Sequence, residues 1–145
     1  DLGEVAKSDD GHSARIGPFL RLAETTRAFW GEQDQGIRVR LHSTIPVGRG
    51  MGSGAALAVA LPRAICAAFN RRINSDQIAD LSLESEREFH GSPSGVDSAV
   101  IARSEPVYFV KGKSPQPICV GPSEFRFVIA DTGGNWACRV RSWIG

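Results

Sequence analysis

Residues 45–56 read I-P-V-G-R-G-M-G-S-G-A-A, and this segment limits the fold more than any other. Gly48, Gly50, Gly52 and Gly54 place four glycines within seven residues. Backbone without Cβ atoms reaches positive φ and lets its N–H groups approach an anion. Just before the turn, Ile37, Val39 and Leu41 alternate with Arg38, Arg40 and His42, the pattern of a half-buried strand. Just after it, the stretch from Ser53 to about Asn70 is apolar on nearly every side, which predicts a buried helix. That helix points its positive dipole end into the turn. A strand, a glycine turn and a helix N-terminus together make a phosphate cradle. The plain alternative is a tight strand-to-helix connection that binds nothing.

The turn is not a Walker A loop, because Ala55 and Ala56 stand where a Lys and a Ser or Thr are needed. It is not the dinucleotide G-x-G-x-x-G pattern either, because position 53 is Ser. It resembles the P-x-x-x-G-L-G-S-S-A-A motif of the galactokinase, homoserine kinase, mevalonate kinase and phosphomevalonate kinase superfamily. Pro46, Gly50, Gly52, Ser53, Ala55 and Ala56 match, Met51 stands for Leu, and Gly54 departs from the second Ser. Residues 86–100, E-R-E-F-H-G-S-P-S-G-V-D-S-A-V, resemble the E-x-x-x-H-G-x-P-S-G-x-D signature of mevalonate kinases. Glu86, His90, Gly91, Pro93, Ser94, Gly95 and Asp97 all fall in register. The resemblance covers roughly residues 36–131.

The resemblance implies an ATP- and Mg²⁺-dependent small-molecule kinase acting on mevalonate in isoprenoid synthesis. Pro46, Gly48, Arg49, Gly50, Met51, Gly52, Ser53, Gly54 and Ala55 would line the nucleotide. Glu86 falls in the place of the family's magnesium ligand, with Ser53 or a water standing in for the Ser that Gly54 replaces. Asp97 falls in the place of the catalytic base. His90, Gly91, Ser94 and Gly95 would shape the loop or contact substrate, with His90 fixing the loop rather than moving a proton. Read without the family, Glu86 is a solvated helix carboxylate and Asp97 caps the following helix. The resemblance also implies an α+β fold, the ribosomal-S5-like two-layer N-terminal domain of these kinases.

Three departures matter. The family's opening P-G-K-x-x-L-x-G-E-H segment has no match in residues 1–36, and its G-A-G-x-G-G motif is absent. Gly54 is the third. The expectation is therefore a partial kinase N-terminal (ATP-binding) domain over residues 1–145, truncated at both ends, without the C-terminal domain and without turnover as it stands. The first residue is not Met, and Asn135-Trp136-Ala137-Cys138 has neither the Arg nor the Thr that the family shows within a few residues of Asp131-Thr132-Gly133. The nearest alternatives are a sister kinase for a sugar or phosphomevalonate, and a non-catalytic phosphate-binding or oligomerising fragment.

Composition narrows the partners. A net charge of +1 argues against a nucleic-acid partner bound by phosphate neutralisation. The longest apolar stretch, residues 55–68, is interrupted by Pro62 and Arg63, so no membrane span is expected. No signal peptide is visible, and Cys66, Cys119 and Cys138 show no ligand spacing, as expected of free thiols in the cytoplasm. Unpaired edges at residues 37–41 and 125–130 predict self-association, burying Phe125, Phe127 or Trp143.

Further elements follow from local pattern. Helical spacing runs from Ile16 to Trp30. Asn74 with Gln77 forms a capping box for a helix carrying Ile78, Leu81 and Ser85 on one side. Pro93 and Gly95 end it and open another helical segment. Residues 107–110, 118–120 and 125–130 read as short strands. Pro62, inside the central helix, is expected to kink it.

Overall fold

The computed structural model describes residues 13–119, 121 and 128–130. Four helices come first: α1 (Ser13–Phe29), α2 (Ser53–Ala68), α3 (Ser75–His90) and α4 (Val96–Arg103). An antiparallel pair follows, β1 (Val107–Tyr108) and β2 (Gln116–Pro117), with Val107 opposite Pro117 and Tyr108 opposite Gln116. The result is a mixed α and β architecture in which helices dominate the described residues.

The core forms where the helices meet. Phe19, Leu22 and Ala23 of α1 pack on Ala58, Leu61 and Ile65 of α2. A second cluster joins Val59 of α2, Ile78 of α3 and Ala102 of α4. Burying such side chains stabilises by roughly 1.5–3 kcal/mol each for the larger ones. Cys66 is among the most buried residues, a packing role as its apolar setting implies.

Helix ends follow the sequence closely. Asn74 Oδ1 accepts from the Gln77 N–H at 2.8 Å, and Gln77 Oε1 accepts from the Asn74 N–H at 3.0 Å, a complete capping box. Gly91, at φ 67, closes α3, and its N–H donates to Arg87 O. Arg27 stays buried at the end of α1 because its guanidinium donates to the carbonyls of Glu32, Gln33 and Gln35, which pins the following turn.

Pro62 sits inside α2 and is itself fully buried, yet the helix runs on to Ala68. A proline has no N–H to give, so the Ala58 carbonyl four residues earlier loses its helical donor. Ser82 of α3 replaces it: its hydroxyl lies 2.9 Å from Ala58 O and 2.7 Å from Ile78 O.

The strand expectations need correction. Residues 37–41 carry no strand assignment. Ile37 and Val39 do pack against the first core cluster while Arg38 and Arg40 are exposed, but Leu41 is exposed as well, so the alternation holds only as far as Arg40. A strand also needs a neighbour to complete its ladder, and no described residue supplies one. The first strand of the pair ends at Tyr108 rather than at Val110, and the second falls at Gln116–Pro117, while Ile118 and Cys119 are in no strand; Val120 lies outside the described residues. Val128 and Ile129 are exposed and in no strand, contrary to the buried strand expected there. Phe125, Phe127, Cys138, Trp143 and residues 131–145 lie outside the described residues.

Candidate functional site

The glycine turn adopts a backbone that side chains would forbid. Gly48, Gly50 and Gly52 have φ of 74, 69 and 70°, and Arg49 and Met51 between them stay at negative φ. This alternation of sign is the conformation in which successive N–H groups line an anion-binding concavity. Gly52 is also the N-cap of α2, and no side chain caps the helix. The first bond of the turn into the helix runs from the Ala56 N–H to Gly52 O at 2.8 Å. The N–H groups of Ser53, Gly54 and Ala55 precede it, and a helix cannot use them itself. Pro46, Gly48, Gly50 and Met51 are exposed, Arg49 and Ser53 half-buried, and Ala55 buried against the core. Gly54 has no atom within 4 Å of where a Cβ would stand.

The turn touches α4. A Cβ on Gly52 would stand 3.8 Å from Ile101 Cδ1. Asp97 lies one helical turn before Ile101, roughly 6 Å along the axis and on the same face. Asp97 is exposed and sits in the first turn of α4, whose N-cap is Gly95 at φ 80° with no side-chain cap. Its carboxylate is therefore not engaged in capping, although the first turn still favours its negative charge.

Glu86 reaches the same face from α3. The fully buried hydroxyl of Ser98, next to Asp97, donates to Glu86 Oε1. This bond fixes the carboxylate's direction. Ser98 escaped the sequence reading because a lone Ser inside a short apolar helix carries no motif; its signal was adjacency to Asp97. One face of α4, carrying residues 97, 98 and 101, thus gathers the end of the glycine turn, Glu86 and Asp97.

Three other expected site residues face elsewhere. Gly91, Ser94 and Gly95 line a separate cavity of about 610 Å³. The Ser94 hydroxyl lies 3.3 Å from the Val96 N–H, a bond internal to the loop. His90 is the last residue of α3.

Among the described residues no group of three or more His, Cys, Asp or Glu is placed to hold a metal ion. The oxygens present, the Glu86 carboxylate and the Ser53 hydroxyl, have the chemistry that suits a hard cation held mainly by phosphates and waters. Burial pushes the Cys66 thiol up, away from nucleophilic use, and the Trp30 indole acts the other way. No helix among the described residues is long and apolar enough to cross a membrane.

Comparison with known proteins bears on the family of the chain. The family profile described as "GHMP kinases N terminal domain" matches residues 18–105. The chain is 33% identical to a protein named mevalonate kinase from Thermococcus gammatolerans over 131 residues, 89% of this chain and 38% of the relative. It is 33% identical to mevalonate kinase from Thermococcus sibiricus over 106 residues, 73% of this chain and 32% of the relative. It is 32% identical to mevalonate kinase from Candida albicans over 97 residues, 56% of this chain and 22% of the relative. The chain spans about a third of the length of the archaeal relatives it matches. No solved structure matches it.

Proposed function

This chain belongs to the GHMP kinase N-terminal domain family, and from that premise we propose that it is the nucleotide-binding part of an ATP-dependent mevalonate kinase. The observation that carries the reading is the convergence of the glycine turn, Glu86 and Asp97 on one face of α4. The names of the relatives support mevalonate as the acceptor.

In this reading the N–H groups from Gly48 to Ala55 hold the triphosphate, and Arg49 and Ser53 add side-chain donors. Asp97 accepts the proton of the acceptor hydroxyl as its oxygen attacks the γ-phosphorus; the bridging bond breaks and ADP leaves. Glu86 and Ser53 are the residues that would hold Mg²⁺, which when bound neutralises phosphate charge. Ser98 orients Glu86 for that role, in the way second-layer hydrogen bonds set ligand direction. Because the relatives extend well beyond the matched segment, we place residues 1–145 within the N-terminal, ribosomal-S5-like domain of a longer two-domain enzyme of isoprenoid synthesis. We place that enzyme in the cytoplasm as a homo-oligomer, with neither nucleic acid nor membrane as partner.

The test is ADP formation by the full-length protein carrying this chain, offered mevalonate, phosphomevalonate, homoserine or galactose. The reading expects turnover with mevalonate and a kcat/KM at least about a hundredfold above the others, the discrimination available when a site's polar groups are left unpaired by the wrong substrate. Preference for phosphomevalonate or a sugar would move the enzyme to a sister activity. No turnover with any acceptor, with nucleotide still bound, would favour a non-catalytic binding module.

A further inference from the structure

The cavity of about 610 Å³ lies between α3, the turn at residues 91–95 and the connection from β1 to β2. It is not the face that carries Asp97. Its α4 lining is Ala99 and Arg103, which lie on roughly the opposite side of that helix. Its volume falls in the range of small-molecule sites.

The charges in its wall are unequally matched. Arg103 donates to Asp76 and Arg87 donates to Glu84, so both guanidiniums already have carboxylate partners. Lys111 and Lys113 also line the cavity, and their ammonium groups make no hydrogen bond or ion pair with any described residue. Set against the one remaining carboxylate of the wall, Asp80, the two lysines leave positive charge in excess. Gly112 stands between them at φ 83°, with nothing within 4 Å of a would-be Cβ, so a ligand can approach the backbone there. Ser92 and Ser114 add hydroxyl donors from opposite walls.

We propose that this cavity is a second anion site, which takes a small phosphorylated molecule between Lys111, Lys113 and the turn at residues 91–95. Compact ammonium charges beside hydroxyls and an open glycine backbone suit phosphate oxygens. The ligand touches Gly95 from the side away from Asp97. Gly95 is the N-cap of α4, two residues before Asp97, so occupancy bears on how that carboxylate is presented. The site is distinct from the glycine turn, and it stands independently of the nucleotide reading.

The experiment titrates inorganic pyrophosphate into ¹⁵N-labelled protein and follows amide shifts residue by residue. The proposal expects saturable shifts at Gly91, Ser92, Gly112, Lys113 and Ser114. The K111Q/K113Q double variant, which changes two exposed side chains, should weaken that response about tenfold or more, the loss expected from removing charge-assisted contacts. Shifts at Gly50 to Ala55 should persist in the variant. Shifts confined to Gly50–Ala55 in both proteins, or an affinity at Gly112–Ser114 unchanged by the double variant, would overturn the proposal and leave the nucleotide reading intact.

Discussion

The Ser82 hydroxyl lies 2.9 Å from the Ala58 carbonyl oxygen, the acceptor that Pro62 leaves without a helical donor. One side chain on α3 thus compensates a missing backbone bond in α2. The same α2 starts at the glycine turn, so this contact helps hold the base of the site.

Removing the hydroxyl exposes the defect. Ser82→Ala leaves a buried carbonyl unsatisfied and should destabilise by about 1–3 kcal/mol in chemical denaturation. With Pro62→Ala, the new residue supplies its own N–H to Ala58, so Ser82→Ala should then cost clearly less. Equal costs in the two backgrounds would mean that Ser82 does not serve the carbonyl that Pro62 orphans.

Two glycines respond oppositely to a side chain. Gly95 has φ 80°, and a Cβ there would stand 3.3 Å from Leu83 Cδ1. Gly95→Ala should therefore destabilise, by about 1–2 kcal/mol for the left-handed conformation alone. Gly54 lies in the first turn of α2 with open space around it. Gly54→Ser, which restores the family's residue, should be neutral or stabilising by a few tenths of a kcal/mol. Thermal midpoints that fall equally in both variants would contradict the local geometry.

The pair Arg21–Glu88 joins α1 to α3. The Arg21 guanidinium holds the Glu88 carboxyl below the usual carboxylate range, while Glu88 raises Arg21. A depressed folded pKa gives stability that is present above the unfolded value, about 4.3 for Glu, and lost as pH falls through the folded value. The pair is solvent-accessible, so its effect is small. Denaturation midpoints of wild type and Glu88→Gln should differ at pH 7 and converge towards pH 3. A gap that widens on acidification would reverse the assigned sign.

Much of the fold was legible where a residue acts on its own neighbourhood. Asn74 and Gln77 announce their capping box by spacing alone, and Gly91 and Gly95 mark the break between α3 and α4. The apolar run of α2 and the packing of Cys66 were equally plain. What failed depends on partners distant in sequence. Residues 37–41 alternate as a strand should, but pairing is decided by a neighbour that the segment does not contain. The role of Ser98, the reason Pro62 is tolerated and the contact between Gly52 and Ile101 all join segments far apart in the chain, and only the folded packing displays them. The family motifs marked Glu86 and Asp97, while their shared face on α4 emerged from Ser98 and Ile101.

The central claim is that Asp97 acts on the acceptor hydroxyl beside a phosphate-holding turn. The most direct measurement compares steady-state mevalonate phosphorylation by the full-length protein carrying this chain with that of its Asp97→Asn variant. The account predicts a kcat lower by about 10²–10⁴-fold with the KM for ATP little changed, because the lost group works only in the transition state. Near-normal kcat in a folded Asp97→Asn protein would contradict it.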